Sequence, residues 1–187
     1  MPGCGGLRLW FALIDREAPA WQLATQAGTR TAHSRWPVNE DIQRKILGLL
    51  DQHRIMTIAT VRPDGWPQAT TVGYANDGFR LYFLCGLDSQ KAANLARDNR
   101  VSLTIDHDTP QVMEIVGLSM AARAEAVVDA MEGEKAMRLL MEKYPPQNSL
   151  PLPMPKFADV RIFRLTPTVI SVLDYSRGFG HTDLVTC

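Results

Sequence analysis

The sequence predicts a mainly β fold with a few short helices, an α+β domain. Its antiparallel strands are expected to close into a small barrel. Three observations carry this. β-branched and alternating runs recur from Ile55 to Leu173, two turn signals in succession mark a meander, and the helical patterns between them are short. A meander requires antiparallel pairing, and a sheet of about six strands hides its edges most simply by closing on itself.

The elements follow in order. Asn39 is a good helix cap, Glu40 and Asp41 suit the first turn, and Ile42, Ile46, Leu49 and Leu50 recur at helical spacing to about Gln52. Ile55 to Val61 is the first strand. Pro63-Asp64-Gly65 is a turn, Gln68 to Ala75 the second strand, Asn76-Asp77-Gly78 another turn and Phe79 to Cys85 the third strand. A short helix is expected over Ser89 to Arg97, with Ala92, Ala93, Leu95 and Ala96 able to pack inward. Arg100 to Ile105 is the fourth strand. Gln111 to Val116 and Ala121 to Val128 read as a fifth, long and bent at Gly117. Met131 to Tyr144 is the clearest helix, stopped by Pro145 and Pro146, with Met131, Met137 and Met141 read as core or interface packing. The proline-rich stretch 145–155 is expected to be a loop of the binding or interface kind. Val160 to Leu165 and Thr168 to Leu173 close the set as one or two further strands. Residues 1–36 have no sustained period and read as a flexible N-terminal extension, which leaves 37–187 as the folded domain.

The totals narrow the function. In 187 residues, Lys plus Arg and Asp plus Glu each number 20, so the formal charge is zero and the general electrostatic case for nucleic acid or an anionic membrane is absent. Cys4, Cys85 and Cys187 are odd in number and far apart, which suggests neither a disulfide framework nor a CxxC metal site and points to a reducing cytoplasm. No apolar run approaches the roughly 20 residues needed to span a bilayer. Asp106-His107-Asp108 is read as a strand end turning into a polar loop rather than a metal cluster. Cys85 is read as a small apolar filler.

The residues with chemistry lie after the third strand. A Ser89 cap, free backbone N–H groups at a helix start and the Lys91 ammonium together make a phosphate seat, and a bound anion offsets the unfavourable lysine–dipole contact. A capped helix bearing a surface lysine has the same local sequence. The run Gln68-Ala69-Thr70-Thr71-Val72-Gly73 is small-sided, which suits either a flat ring against the backbone or close packing on a helix.

Pro63-Asp64-Gly65-Trp66-Pro67, Leu81-Tyr82-Phe83, Ser89-Gln90-Lys91-Ala92, Asn99-Arg100-Val101-Ser102-Leu103 and Gln111-Val112-Met113 occur in the order and spacing of one family. Over about Ile46 to Leu173 the chain resembles the pyridoxamine 5′-phosphate oxidase-like FMN-binding split barrels. The resemblance implies a six-stranded antiparallel split β-barrel of Greek-key type and a homodimer with FMN sites at its interface. It implies that Thr70, Thr71 and Val72 run along the ring and ribityl chain, and that Leu84 and Cys85 border the flavin. Ser89, Gln90 and Lys91 would hold the phosphate, and Gln111 would reach the flavin from a neighbouring strand or subunit. The oxidase proper favours an Arg–Lys pair where this chain has Gln90-Lys91, so one fixed charge is missing, which would either weaken FMN or be made good by another residue, Arg97 and Arg100 being nearby in sequence. It also carries a C-terminal Trp and Arg arrangement that Arg161 to Pro167 echoes only loosely, so oxidation of pyridoxamine phosphate itself is not the expected activity. The expected function is FMN-dependent oxidoreduction of a small molecule, with no catalytic acid or base and no metal. A flavin module without turnover, or a barrel holding deazaflavin or haem, are the alternatives.

Overall fold

The computed structural model describes residues 39–144 and 159–187. The expected N-terminal extension and proline-rich loop lie outside the described residues. Helix α1 spans Glu40–Gln52, and the Asn39 side chain accepts the Asp41 N–H at 2.9 Å, as the capping pattern requires. Its apolar stripe buries Ile46, Leu49 and Leu50. Strands β1 (Ile55–Val61), β2 (Pro67–Gly73), β3 (Ala75–Asp77) and β4 (Arg80–Gly86) follow. Gly65 and Gly78 stand at φ 85° and 60° in the connecting turns, a backbone region that glycine enters without a Cβ penalty. Helix α2 is Gln90–Arg97, β5 Arg100–Ile105, β6 Val116–Ala126, α3 Ala130–Lys143, β7 Val160–Asp174 and β8 Thr182–Thr186. No helix among the described residues is long and apolar enough to cross a membrane.

The strands form one eight-stranded sheet in the order β2-β1-β5-β6-β7-β4-β3, with β8 added on β7. Every pairing is antiparallel. The barrel class therefore stands, with short β3 and C-terminal β8 added to the six expected strands. The two segments expected around Pro167 are one strand of 15 residues. The register between β6 and β7 shifts at Ala121/Ala122, so that Pro167 falls at the irregularity, where a missing N–H costs no ladder bond. Two expectations fail here. Gln111 to Val116 is not strand, because Val112–Glu114 is a single 3₁₀ turn and β6 begins only at Val116. Met131 is not core, because it is 79% exposed while Gly133, Ala136 and Leu140 form the buried stripe of α3; Met141 is exposed too.

Inside the barrel lie Ile46 and Leu50 of α1 with Met56, Ile58, Leu103 and Leu118. Phe83 and Phe163, register partners on β4 and β7, stack at 5.4 Å between centroids. A second, smaller core of Tyr82, Ala136 and Ile162 holds α3 against the outer face of β4. There the Tyr82 hydroxyl donates to Glu132 at 3.0 Å, and Arg164 binds both oxygens of the same carboxylate at 2.9 and 3.0 Å. The C-terminal segment folds back through Asp174. This carboxylate is buried, accepts from Lys45 of α1 and from the Ser176 N–H at 3.2 Å, and is held below the usual carboxylate range chiefly by Lys45.

The two ends of the sheet path, β2 and β3, are consecutive in the chain and separated by Tyr74 alone. Tyr74 is fully buried. Its hydroxyl donates to the Leu50 carbonyl at 2.8 Å, its N–H donates to the Arg54 carbonyl at 3.1 Å, and burial pushes its phenol well above the ordinary value. The Lys143 ammonium sits 4.0 Å from its ring centroid and donates to Leu50 O at 2.6 Å and Asn76 Oδ1 at 3.0 Å. The next residue, Tyr144, donates its hydroxyl to the Arg54 carbonyl. A Cβ on Gly73 would stand 2.8 Å from that hydroxyl oxygen and 3.1 Å from Cζ, so glycine is what lets the tyrosine lie against β2.

Two outcomes follow for this seam. Gly73→Ala is expected to cost about 1–3 kcal/mol in chemical denaturation, by overpacking. The cost should shrink when Tyr144 is first changed to Leu, and an equal cost in both backgrounds would refute the contact. Burial pulls the Lys143 ammonium down to about 8. Between that pH and the ordinary lysine value of about 10.4, the unfolded chain holds a proton that the folded chain lacks. Stability relative to Lys143→Met should therefore rise with pH across this window, and urea melts at its two ends measure the difference. A flat or falling difference would show that the ring and carbonyl contacts outweigh burial.

Candidate cofactor site

The start of α2 is a capped helix N-terminus. Ser89 takes extended backbone angles (φ −69°, ψ 143°), and its hydroxyl oxygen accepts the Ala92 N–H at 3.2 Å. Its carbonyl accepts the Ala93 N–H at 3.1 Å, and its own N–H donates to Gly86 O at 3.1 Å. These bonds leave the backbone N–H groups of Gln90 and Lys91, the first two of the helix, without an acceptor among the described residues. Lys91 is half-buried and makes no ion pair or hydrogen bond among the described residues, so its charge is uncompensated within the fold.

Gln90 does not point to the seat. Its Nε2 donates to Asn94 Oδ1 at 2.9 Å. Asn94 is fully buried, and its Nδ2 donates to Thr60 Oγ1 at 2.9 Å and Gln68 Oε1 at 3.3 Å. This polar relay ties α2 to β1 and β2 and fixes where the helix start is presented. Asn94 was not among the residues expected from sequence. Ala93 and Ala96, expected inside, are exposed, and the buried face is Ala92, Asn94 and Leu95. The visible signal was a polar residue flanked by Ala92 and Leu95 on the stripe that packs.

The substitutes expected for the family's arginine are committed elsewhere. Arg97 donates to the Arg62 carbonyl and, at 3.4 Å, to the Val61 carbonyl. Arg100 binds Asp98 through Nε at 3.0 Å and a terminal nitrogen at 2.7 Å, which holds that carboxyl well below its usual range. Lys91 is thus the free cation of this turn.

Strand alternation divides the other expected contacts. On β2, Thr70 and Val72 are half-buried, with Val72 packed on the main core, whereas Thr71 is on the outer face beside Ala69 and Gly73. That face continues through the register partners Thr57, Thr104 and Ser119, all small side chains. On β4, Cys85 packs on the main core, while Leu84 turns outward to α3. Leu84 also lines a cavity of about 180 Å³ with Gly73, Leu140 and Tyr144, where β2 and β4 touch without pairing.

Gln111 is not gathered with these residues. It is exposed, its N–H donates to Thr109 Oγ1 at 3.3 Å, and it precedes the 3₁₀ turn beyond the C-terminal end of β5, whereas α2 leads into that strand's start. Exposed Val112 and Met113 follow it, and the Tyr175 N–H donates to Ile115 O at 3.0 Å. Asp106-His107-Asp108 lies in the loop after β5, and His107 stacks on His53 at 5.5 Å. Burial first, and His107 second, hold the His53 imidazole below its ordinary value. No group of three or more metal-type ligands occurs among the described residues.

The family model described as pyridoxamine 5′-phosphate oxidase matches residues 42–174. General stress protein 26 of Bacillus subtilis is 28% identical over 69 residues, 37% of this chain and 49% of that protein, so the match spans about half of the curated relative's length. The solved general stress protein 26 of Bacillus anthracis superposes with a TM-score of 0.58 at 16% identity, covering 78% of this chain and 98% of that one. A heme binding protein of Mycobacterium smegmatis gives a TM-score of 0.62 at 20% identity, covering 80% and 59%. At such identities the structural likeness is one of fold. The family match covers β1 through β7 together with the capped turn at Ser89, and the chain belongs to the pyridoxamine 5′-phosphate oxidase-like family.

Proposed function

We propose that this chain is an FMN-binding oxidoreductase acting on a small molecule, as a homodimer with its cofactor sites at the interface. The observation that carries the reading is the α2 start, where two unpaired backbone N–H groups and an uncompensated Lys91 follow directly on the Ser89 cap. The donor set fits a phosphate monoester: one hydroxyl, two amides and one ammonium, with the helix dipole of the same sign. Ser89 and Lys91 would hold the phosphate. Gln90 would act indirectly, through Asn94, by fixing the helix. Thr71 and the small side chain of Ala69 leave room for a flat ring along the outer face of β2, and Leu84 would border it. Thr70, Val72 and Cys85 would support that wall from inside. When bound, FMN supplies the hydride and electron chemistry, and the protein supplies binding, orientation and exclusion of water.

The dimer is supported by Gln111. Its place beyond the far end of β5 favours a role at the cofactor of a second copy over one at that of its own chain. The exposed face of small residues on β2, β1 and β5 offers a flat surface for such a copy.

An absorbance spectrum of the purified protein, followed by FMN titration of the stripped form, tests the reading. One FMN per chain, bound saturably, is expected. A Soret band would instead assign the cleft to haem, the ligand named for the Mycobacterium smegmatis neighbour, and binding without turnover on NAD(P)H would make the protein a flavin module. Lys91→Ala should weaken FMN by about 1.5–3 kcal/mol, roughly 10- to 150-fold in Kd. Unchanged affinity would count against this seat.

A further inference from the structure

We infer that the cavity between β2, β4 and α3 is the substrate slot of this site, and that it accepts a small, flat, uncharged ring rather than a phosphate ester. The inference rests on the proposed cofactor reading and adds the class of substrate. The cavity measures about 180 Å³ and is lined by Gly73, Leu84, Leu140 and Tyr144. An apolar void of roughly 150 Å³ is enough to hold benzene. Its walls are two leucine side chains, a glycine and a tyrosine ring, and none carries a charge.

Lys143 and Arg54 lie nearby but outside the lining. The Lys143 ammonium is shared among Leu50 O, Asn76 Oδ1 and the face of Tyr74. Arg54 Nε donates to the Lys143 carbonyl at 3.4 Å. The Tyr144 hydroxyl is bound to the Arg54 carbonyl, and burial raises its phenol, so it remains neutral. A phosphate placed here would give up its hydration against leucine methyls, with no charged group in the lining. A ring would exchange water for contact with leucine methyls and stack offset or edge-on against Tyr144.

Gly73 belongs to the same design, since a side chain there would push Tyr144 off the slot.

The test uses the full chain stripped of flavin, with its leucine methyls labelled for NMR. The probes are 4-methylphenol, neutral at pH 7, and pyridoxamine 5′-phosphate. The expected result is that 4-methylphenol at millimolar concentration moves the Leu84 and Leu140 methyl signals saturably, and that the phosphate ester leaves them in place. Leu84→Phe fills the slot and should weaken the probe by about tenfold or more. If that variant fails to fold, Tyr144→Leu removes the ring partner while keeping an apolar wall, and it should also weaken the probe. Unmoved methyls at saturating 4-methylphenol, or tighter binding of pyridoxamine 5′-phosphate at the same methyls, would overturn the inference. FMN titration of the same sample reads the cofactor proposal separately, so failure of the seat at Lys91 and failure of the slot give different spectra.

Discussion

Burial of Tyr74 at the join between β2 and β3 is the constraint on which the rest of the barrel depends. The two ends of the sheet meet there with a single residue between them. A phenol in a fully buried position is tolerable only when its hydroxyl is paired, and the last turn of α1 supplies the Leu50 carbonyl for it. The same carbonyl takes Lys143, and the Arg54 carbonyl takes both the Tyr74 N–H and the Tyr144 hydroxyl. Three segments distant in sequence, the end of α1, the β2–β3 join and the end of α3, are thereby held by two backbone carbonyls. The slot lined by Gly73 and Tyr144 is a direct product of that arrangement.

The anion seat depends on a different polar device. Asn94 is an amide inside an otherwise apolar contact, and it is accommodated because Gln90, Thr60 and Gln68 satisfy both of its ends. A satisfied network of this kind is directional, so it sets the rotation of α2 on the sheet as well as its depth. The neighbouring arginines are used up locally, by the Arg62 carbonyl and by Asp98. Lys91 therefore remains as the cation of this turn that makes no ion pair or hydrogen bond among the described residues. The position where relatives of the oxidase type favour a second charge has become, in Gln90, a structural amide.

Much of the fold was legible because its signals are local. Asn39 followed by two acidic residues set the start of α1, and Ser89 set that of α2. Glycines at positive φ marked the turns at Gly65 and Gly78, and the alternation in β5 gave both its ends. The failures are equally physical. Val112, Met113, Ile115 and Val116 look like a strand, but a strand exists only with a partner, and β6 finds β7 only from Val116 and β5 only from Leu118 onward. β8 is short and largely polar, with Asp183 in the strand bound to Arg177 of the preceding turn, so it lacks an apolar signature; its pairing with β7 creates it. Met131 fits the helical period of α3, yet the core-facing stripe runs through the smaller Gly133 and Ala136.

For the candidate site the division is clearer still. The sequence alone determined the capped start of α2 on which the proposed phosphate seat rests, because a serine cap, the free N–H groups of a helix start and a lysine within the first turn are contiguous residues whose geometry the helix itself imposes. It also determined that β2 has small side chains. Only the tertiary structure decided which of Thr70, Thr71 and Val72 faces outward, since alternation sets the period of a strand and its packing sets the phase. Tertiary structure alone brought Leu84 to Leu140 and Tyr144 and carried Arg97 to the Arg62 carbonyl. Each of these relations joins residues on different strands or helices, and no local pattern encodes a contact whose other half lies that far along the chain.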